Sequence, residues 1–144
     1  MNRILFGCGA ALIAAVLPLA ADAAALDAPL ACNESAHRFI ADLAEQQLID
    51  PQPMRVENNS INAFQPTKGI QLTAFGFNVF AVVGFEQDDP LFKLGKGEPI
   101  ARSAYGAVVF GGTEKVQAAV TAAGSDAIVH HVGPFVTAIF CKRS

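Results

Sequence analysis

Hydrophobic positions recur with two different periods along this chain, and the change of period marks out its elements. Between Asn33 and Ile49, apolar residues stand at Ala36, Phe39, Ile40, Leu43, Ala44 and Leu48. That is the i, i+3, i+4, i+7 spacing of a helix with one buried stripe. Arg38, Asp42, Glu45 and Gln46 form its wet side. Asn33 or Ser35 can cap the first amides, Glu34 suits the positive end of the dipole, and Asp50-Pro51 is the expected stop.

From Met54 the period falls to two. Met54 and Val56 alternate with Arg55 and Glu57, and after Asn58-Asn59-Ser60 the residues Ile61, Ala63 and Phe64 extend a ragged first strand. Ile70–Phe75 and Phe77–Phe85 read as strands with a tight turn or bulge near Gly76. The second of these is apolar on both faces, which places it centrally. Arg102–Phe110 is the next strand, where Gly106 lets a neighbour approach closely. A short helix follows from Thr113, with Val116, Ala119, Val120 and Ala123 on one face and Gly124 as its stop.

The chain closes with a hairpin, Ile128–Val132 and Phe135–Cys141, around Gly133-Pro134. With Gly133 at a positive-φ corner, His130 faces Thr137 and Ile128 faces Ile139. That register predicts Ile128, His130, Thr137, Ile139 and Cys141 on the helix-covered face, with His130 near His37. The expected fold is therefore α+β: a mostly antiparallel sheet of about five or six strands. An N-terminal amphipathic helix packs on one face, and a second short helix precedes the C-terminal hairpin.

The first residues obey neither period. Met1-Asn2-Arg3 precedes an apolar run from Ile4 to Ala21 that ends in Ala21-Asp22-Ala23. A basic start, an apolar centre and a small-x-small end make residues 1–23 a secretory signal of bacterial type. Residues 24–144 then form a single exported domain, in the periplasm or outside the cell. Cleavage before Ala24 is the first choice and before Leu26 the second. Arg3 and Asp22 leave together, so the net charge of −3 is unchanged. A balance so mild, without a basic stripe, argues against nucleic acid as a partner.

Removing the leader leaves Cys32 and Cys141, one near each end of the domain. In an oxidising compartment two such thiols pair. Closing a loop of about 110 residues stabilises by roughly 4–5 kcal/mol in the chain-entropy model.

Candidate chemistry is sparse. His130 and His131 point to opposite faces of a strand, and no third ligand stands at useful spacing, so no metal is expected. No serine lies in a Gly-x-Ser-x-Gly elbow, and Gly95-Lys96-Gly97 runs into Glu98-Pro99 rather than completing a phosphate loop. Neither an enzyme nor a cofactor is expected. Two features remain. One is a load of 11 phenylalanines with no tryptophan, which suits a packed core or an apolar ligand cavity. The other is the long Glu86–Pro99 loop, where Leu91-Phe92 sits among Asp88, Asp89, Lys93 and Lys96. An apolar pair with a charged rim fits a protein-contact patch, or a clip that folds onto the core. The expected function is a non-enzymatic exported module that binds another protein, in an inhibitor, immunity or assembly role. The alternative is a carrier of a small apolar ligand between helix and sheet.

Overall fold

The structure is a computed structural model that describes residues 23–143, so the expected leader lies outside it apart from Ala23. The domain is α+β. Eight strands form one sheet: β1 (Ala23–Ala25), β2 (Arg55–Val56), β3 (Asn62–Phe64), β4 (Gln71–Ala74), β5 (Phe77–Glu86), β6 (Ser103–Phe110), β7 (Ile128–Gly133) and β8 (Val136–Arg143). Helices α1 (Ala36–Glu45) and α2 (Thr113–Ala122) accompany it. The spatial order is β1-β4-β5-β6-β8-β7, with β3 pairing β5 and β2 pairing β3. The sheet is mixed, because β1 runs parallel to β4 while the other pairs are antiparallel.

The strand count exceeds the five or six expected for two physical reasons. The Ala-rich segment at 23–25 carries no strand periodicity, yet it adds to the β4 edge at Ala24↔Leu72. The ragged first strand is in fact a hairpin, β2–β3, turned at Glu57–Ser60 with Ser60 at φ 69°. Strand β5 is central, as its two apolar faces imply. A bulge between Val79 and Ala81 bends it, so that its start pairs β4 and its end pairs β3 along one edge. The β4–β5 turn is Phe75-Gly76, both at positive φ, which matches strand twist.

Helix α1 is capped by Ser35, whose Oγ accepts from the Arg38 N–H at 3.1 Å. It ends sooner than Asp50-Pro51. Gln47 adopts φ 59°, the Leu48 N–H donates to the Leu43 carbonyl, and the Gln47 N–H donates to that of Ala44. That paired pattern is a Schellman stop, with Leu48 folding back toward Leu43. The buried stripe is Ala36, Phe39, Ile40 and Leu43. Phe39, Ile40, Phe64, Leu72, Val82 and Ile139 fill the space between helix and sheet, none more than 1% exposed.

The last hairpin departs from the expected register. Its corner is Pro134-Phe135, with Phe135 at φ 57°, and β7 pairs as His131↔Thr137 and Val129↔Ile139. Proline has a φ suited to a first corner, and an irregularity between His131 and Gly133 absorbs the offset. A one-residue slip exchanges faces. Val129 and His131 therefore share the covered side with Thr137, Ile139 and Cys141, while Ile128 and His130 face away, so His130 is not under the helix near His37. The covered side also anchors α2: the Thr113 and Thr137 hydroxyls lie 3.2 Å apart, and Thr137 donates to the Gly111 carbonyl. At Gly106 a Cβ would run into the Ile139 carbonyl and the Phe140 backbone, which explains its place in β6.

Cys32 and Cys141 form a disulfide with Cα atoms 5.2 Å apart, tying the segment before α1 to β8. Among the described residues no helix is long and apolar enough to cross a membrane.

Candidate functional site

The free amides of α1 point at the ends of β5 and β6, where Glu86 pairs Ser103. The His37 N–H donates to Glu86 Oε1 at 3.3 Å, the Ala36 N–H donates to Ser103 Oγ at 3.3 Å, and Ser103 donates to the same Glu86 oxygen at 3.1 Å. A carboxylate from the sheet thus occupies the positive end of the helix dipole. These polar groups are committed to one another and join the layers. Beside them a cleft of about 340 Å³ is lined by Gln87, Asp88, Arg102 and Arg143.

The long loop leaves this corner, between Glu86 and Ser103. Asp89 begins its docking. Its Oδ2 accepts from His37 Nδ1 at 2.6 Å, and its Oδ1 accepts from the Leu91 N–H at 2.9 Å. The second contact is an Asx turn, and it aims the next residues inward. Leu91 is half-buried and Phe92 is only 7% exposed, edge-on to Phe64 and Phe85. Of the two readings of Leu91-Phe92, a contact patch or a clip folded onto the core, the burial of Phe92 fits the clip. An aromatic ring beside two other buried rings gains more from burial than from water, and the pair acts as the clip.

Beyond the clip the loop is pinned to the β2–β3 turn by its backbone. The Lys93 N–H donates to Asn62 Oδ1 at 2.9 Å, and Asn62 Nδ2 donates to the Lys93 carbonyl at 2.8 Å. The Gly95 N–H donates to Ser60 Oγ at 2.9 Å, the Gly97 N–H to the Asn58 carbonyl, and the Ile100 N–H to that of Asn59. Gly95 lies so close to the Glu57 and Asn58 carbonyls that no side chain fits there. Ser60 and Asn62 are fully buried, with their polar atoms satisfied by this loop.

What the pinned loop presents to solvent is Leu94, 74% exposed, with Lys93 and Lys96 exposed beside it. Under it runs a surface cleft of about 460 Å³. Its apolar lining is Phe85, Pro90, Phe92, Leu94 and Pro99, and Glu86, Asp88 and Asp89 are also part of the lining. The sequence reading selected Asp88, Asp89, Leu91, Phe92, Lys93 and Lys96; the structure brings Asp88, Asp89 and Phe92 to this cleft and leaves Lys93 and Lys96 on the outer surface. It missed Leu94 and the two residues that hold the loop. Between Ile61 and Ala63, Asn62 reads as an outward residue, and the one signal for its burial is the face it shares with Phe64.

Elsewhere the chemistry is structural. Tyr105 donates to the Pro29 carbonyl at 2.7 Å and stacks on Phe39, and burial pushes its phenol above the ordinary value. Burial, with the nearby Asp42 charge, also raises the Glu34 carboxyl. His131 Nδ1 lies 3.1 Å from the Thr113 hydroxyl. Among the described residues no three His, Cys, Asp or Glu side chains converge to hold a metal ion. Compared with known proteins, the chain matches no family model, no curated protein and no solved structure.

Proposed function

We propose that this chain is an exported, non-enzymatic module that binds another protein through the cleft and rim of the 87–102 loop. The observation that carries this reading is the pinning of the loop. A recognition surface fixed before encounter loses little conformational entropy on binding. Here five hydrogen bonds between the loop backbone and the β2–β3 hairpin, three of them to the Asn62 and Ser60 side chains, hold Leu94 above an apolar floor. The partner chemistry follows from the lining: an apolar side chain for Phe85, Phe92 and Leu94, beside a cation for Asp88. The filled space between α1 and the sheet favours this over the carrier. Export is supported by the basic start, the apolar run and Ala21-Asp22-Ala23, and it accords with the Cys32–Cys141 bond.

Affinity capture from envelope extract tests the reading, with the chain from Ala24 as bait. A protein retained by wild type and lost with Leu94→Glu supports it. Equal retention by that variant, with its fold intact, rejects the loop as the site.

A further inference from the structure

Both helices pack on one side of the sheet; on the other side the 87–102 loop lies against Phe85, and among the described residues no helix or strand covers the rest. Register assigns the open face. Phe110 pairs Asn78 and Val136, Val108 pairs Ala81 and Ala138, and Phe140 pairs Gly106 and Ile128. Phe80 and Phe110 stack there at 4.9 Å, yet they remain 36% and 55% exposed, and Ile128 is 43% exposed. The apolar field has a polar border at β4, where Gln71 Nε2 donates to Asn78 Oδ1 at 2.9 Å. His130 and Lys142 mark its opposite rim. No acidic or basic side chain projects from its centre.

We infer that this face is covered by a second copy of the same chain, the two sheets stacking about a two-fold axis into a sandwich with helices outside. An isologous contact brings each patch against its own image, so a field without central charge buries no like-charge repulsion. Size is adequate. Four strands about 4.8 Å apart and roughly seven residues long cover on the order of 450 Å² per copy in projection. Two such faces bury about 900 Å² before side-chain relief is added, which places the contact among weak, concentration-dependent dimers. Packed sheets lie about 10 Å apart, a gap that the Phe80–Phe110 pairs and Val108 would fill. An anionic lipid surface is a poorer occupant, since the chain carries a net charge of −3 and the face has a single lysine at its rim. The inference does not depend on the loop reading, because Phe80, Phe110 and Ile128 are not among the residues lining the loop cleft, which meets this face at Phe85.

Size-exclusion chromatography with light scattering on the chain from Ala24 decides it. Loaded at about 1 mM, so that the diluted peak stays about tenfold above a dissociation constant of about 10 µM, the protein should elute with a mass approaching that of two chains. Phe110→Lys and, separately, Ile128→Lys should each return the mass of one chain, with unchanged circular dichroism and an intact disulfide. Both positions are exposed in the single chain, so neither change threatens folding. A wild-type protein of single-chain mass at this load overturns the inference. So does a dimer that survives both substitutions, and so does a face captured by a different protein while the chain alone stays monomeric.

Discussion

Asn62 and Lys93 are joined as two strand residues would be, except that one partner is a side chain. The buried carboxamide receives the Lys93 N–H at 2.9 Å and donates to its carbonyl at 2.8 Å. Asn62 is one of the points that close the loop onto the sheet, and the bond leaves the Lys93 side chain in water.

Asn62→Ala strands both Lys93 backbone groups and the Ser60 carbonyl that Asn62 Nδ2 also reaches. The expected loss is about 2–3 kcal/mol of stability, since each unsatisfied buried group costs about 1 kcal/mol or more. Limited proteolysis should show earlier cutting near Lys93 and Lys96, and urea unfolding should give the loss.

Much of this fold was readable in the sequence, and the failures have specific causes. The stripe Ala36, Phe39, Ile40 and Leu43 is periodic enough to fix α1 and its buried side. Cys32 and Cys141 were the two cysteines left to pair, and the helix and β8 hold them where they can. The hairpin slipped because Gly133 and Pro134 each suit a corner, and only tertiary structure chose Pro134-Phe135: the Gly111 N–H donates to the Phe135 carbonyl at 2.7 Å. The helix end was misplaced because Gln47 in a left-handed conformation leaves no compositional mark. Leu91 and Leu94 look alike as residues, and only the Asx turn at Asp89 decides which one faces water.

Loss of the disulfide should be felt globally. The bond closes a span of 109 residues, so Cys32→Ala with Cys141→Ala should lower stability by about 2–5 kcal/mol. A thermal melt with and without reductant reads this directly, and the wild type should lose a similar amount when reduced.

Two shifted groups set opposite ends of the pH profile. Tyr105 in the folded chain holds its proton above the unfolded value of 10.0, so its contribution is complete below that pH. It is lost as pH rises through the folded value. Tyr105→Phe removes the bond to Pro29 at a cost of about 1 kcal/mol and flattens the alkaline limb. Glu34 also holds its proton more tightly when folded, so stability falls as pH rises above its unfolded value of 4.5. Glu34→Gln should remove that slope in urea titrations between mildly acidic and neutral pH.

The edge strand β1 bears on processing. Cleavage before Ala24 keeps Ala24 and Ala25 paired with Leu72 and Thr73, whereas cleavage before Leu26 strips the strand away. Intact mass of the exported protein is expected to begin at Ala24, and a Leu26 start should melt at lower temperature.

The central claim is that the pinned loop meets another protein, and photo-crosslinking in the cell envelope tests it most directly. A photoreactive residue replaces Leu94 in one strain and Gln117, exposed on α2, in another. The account predicts one discrete adduct with a different protein from position 94 and none from position 117. No adduct at position 94, or the same products at both positions, would contradict it.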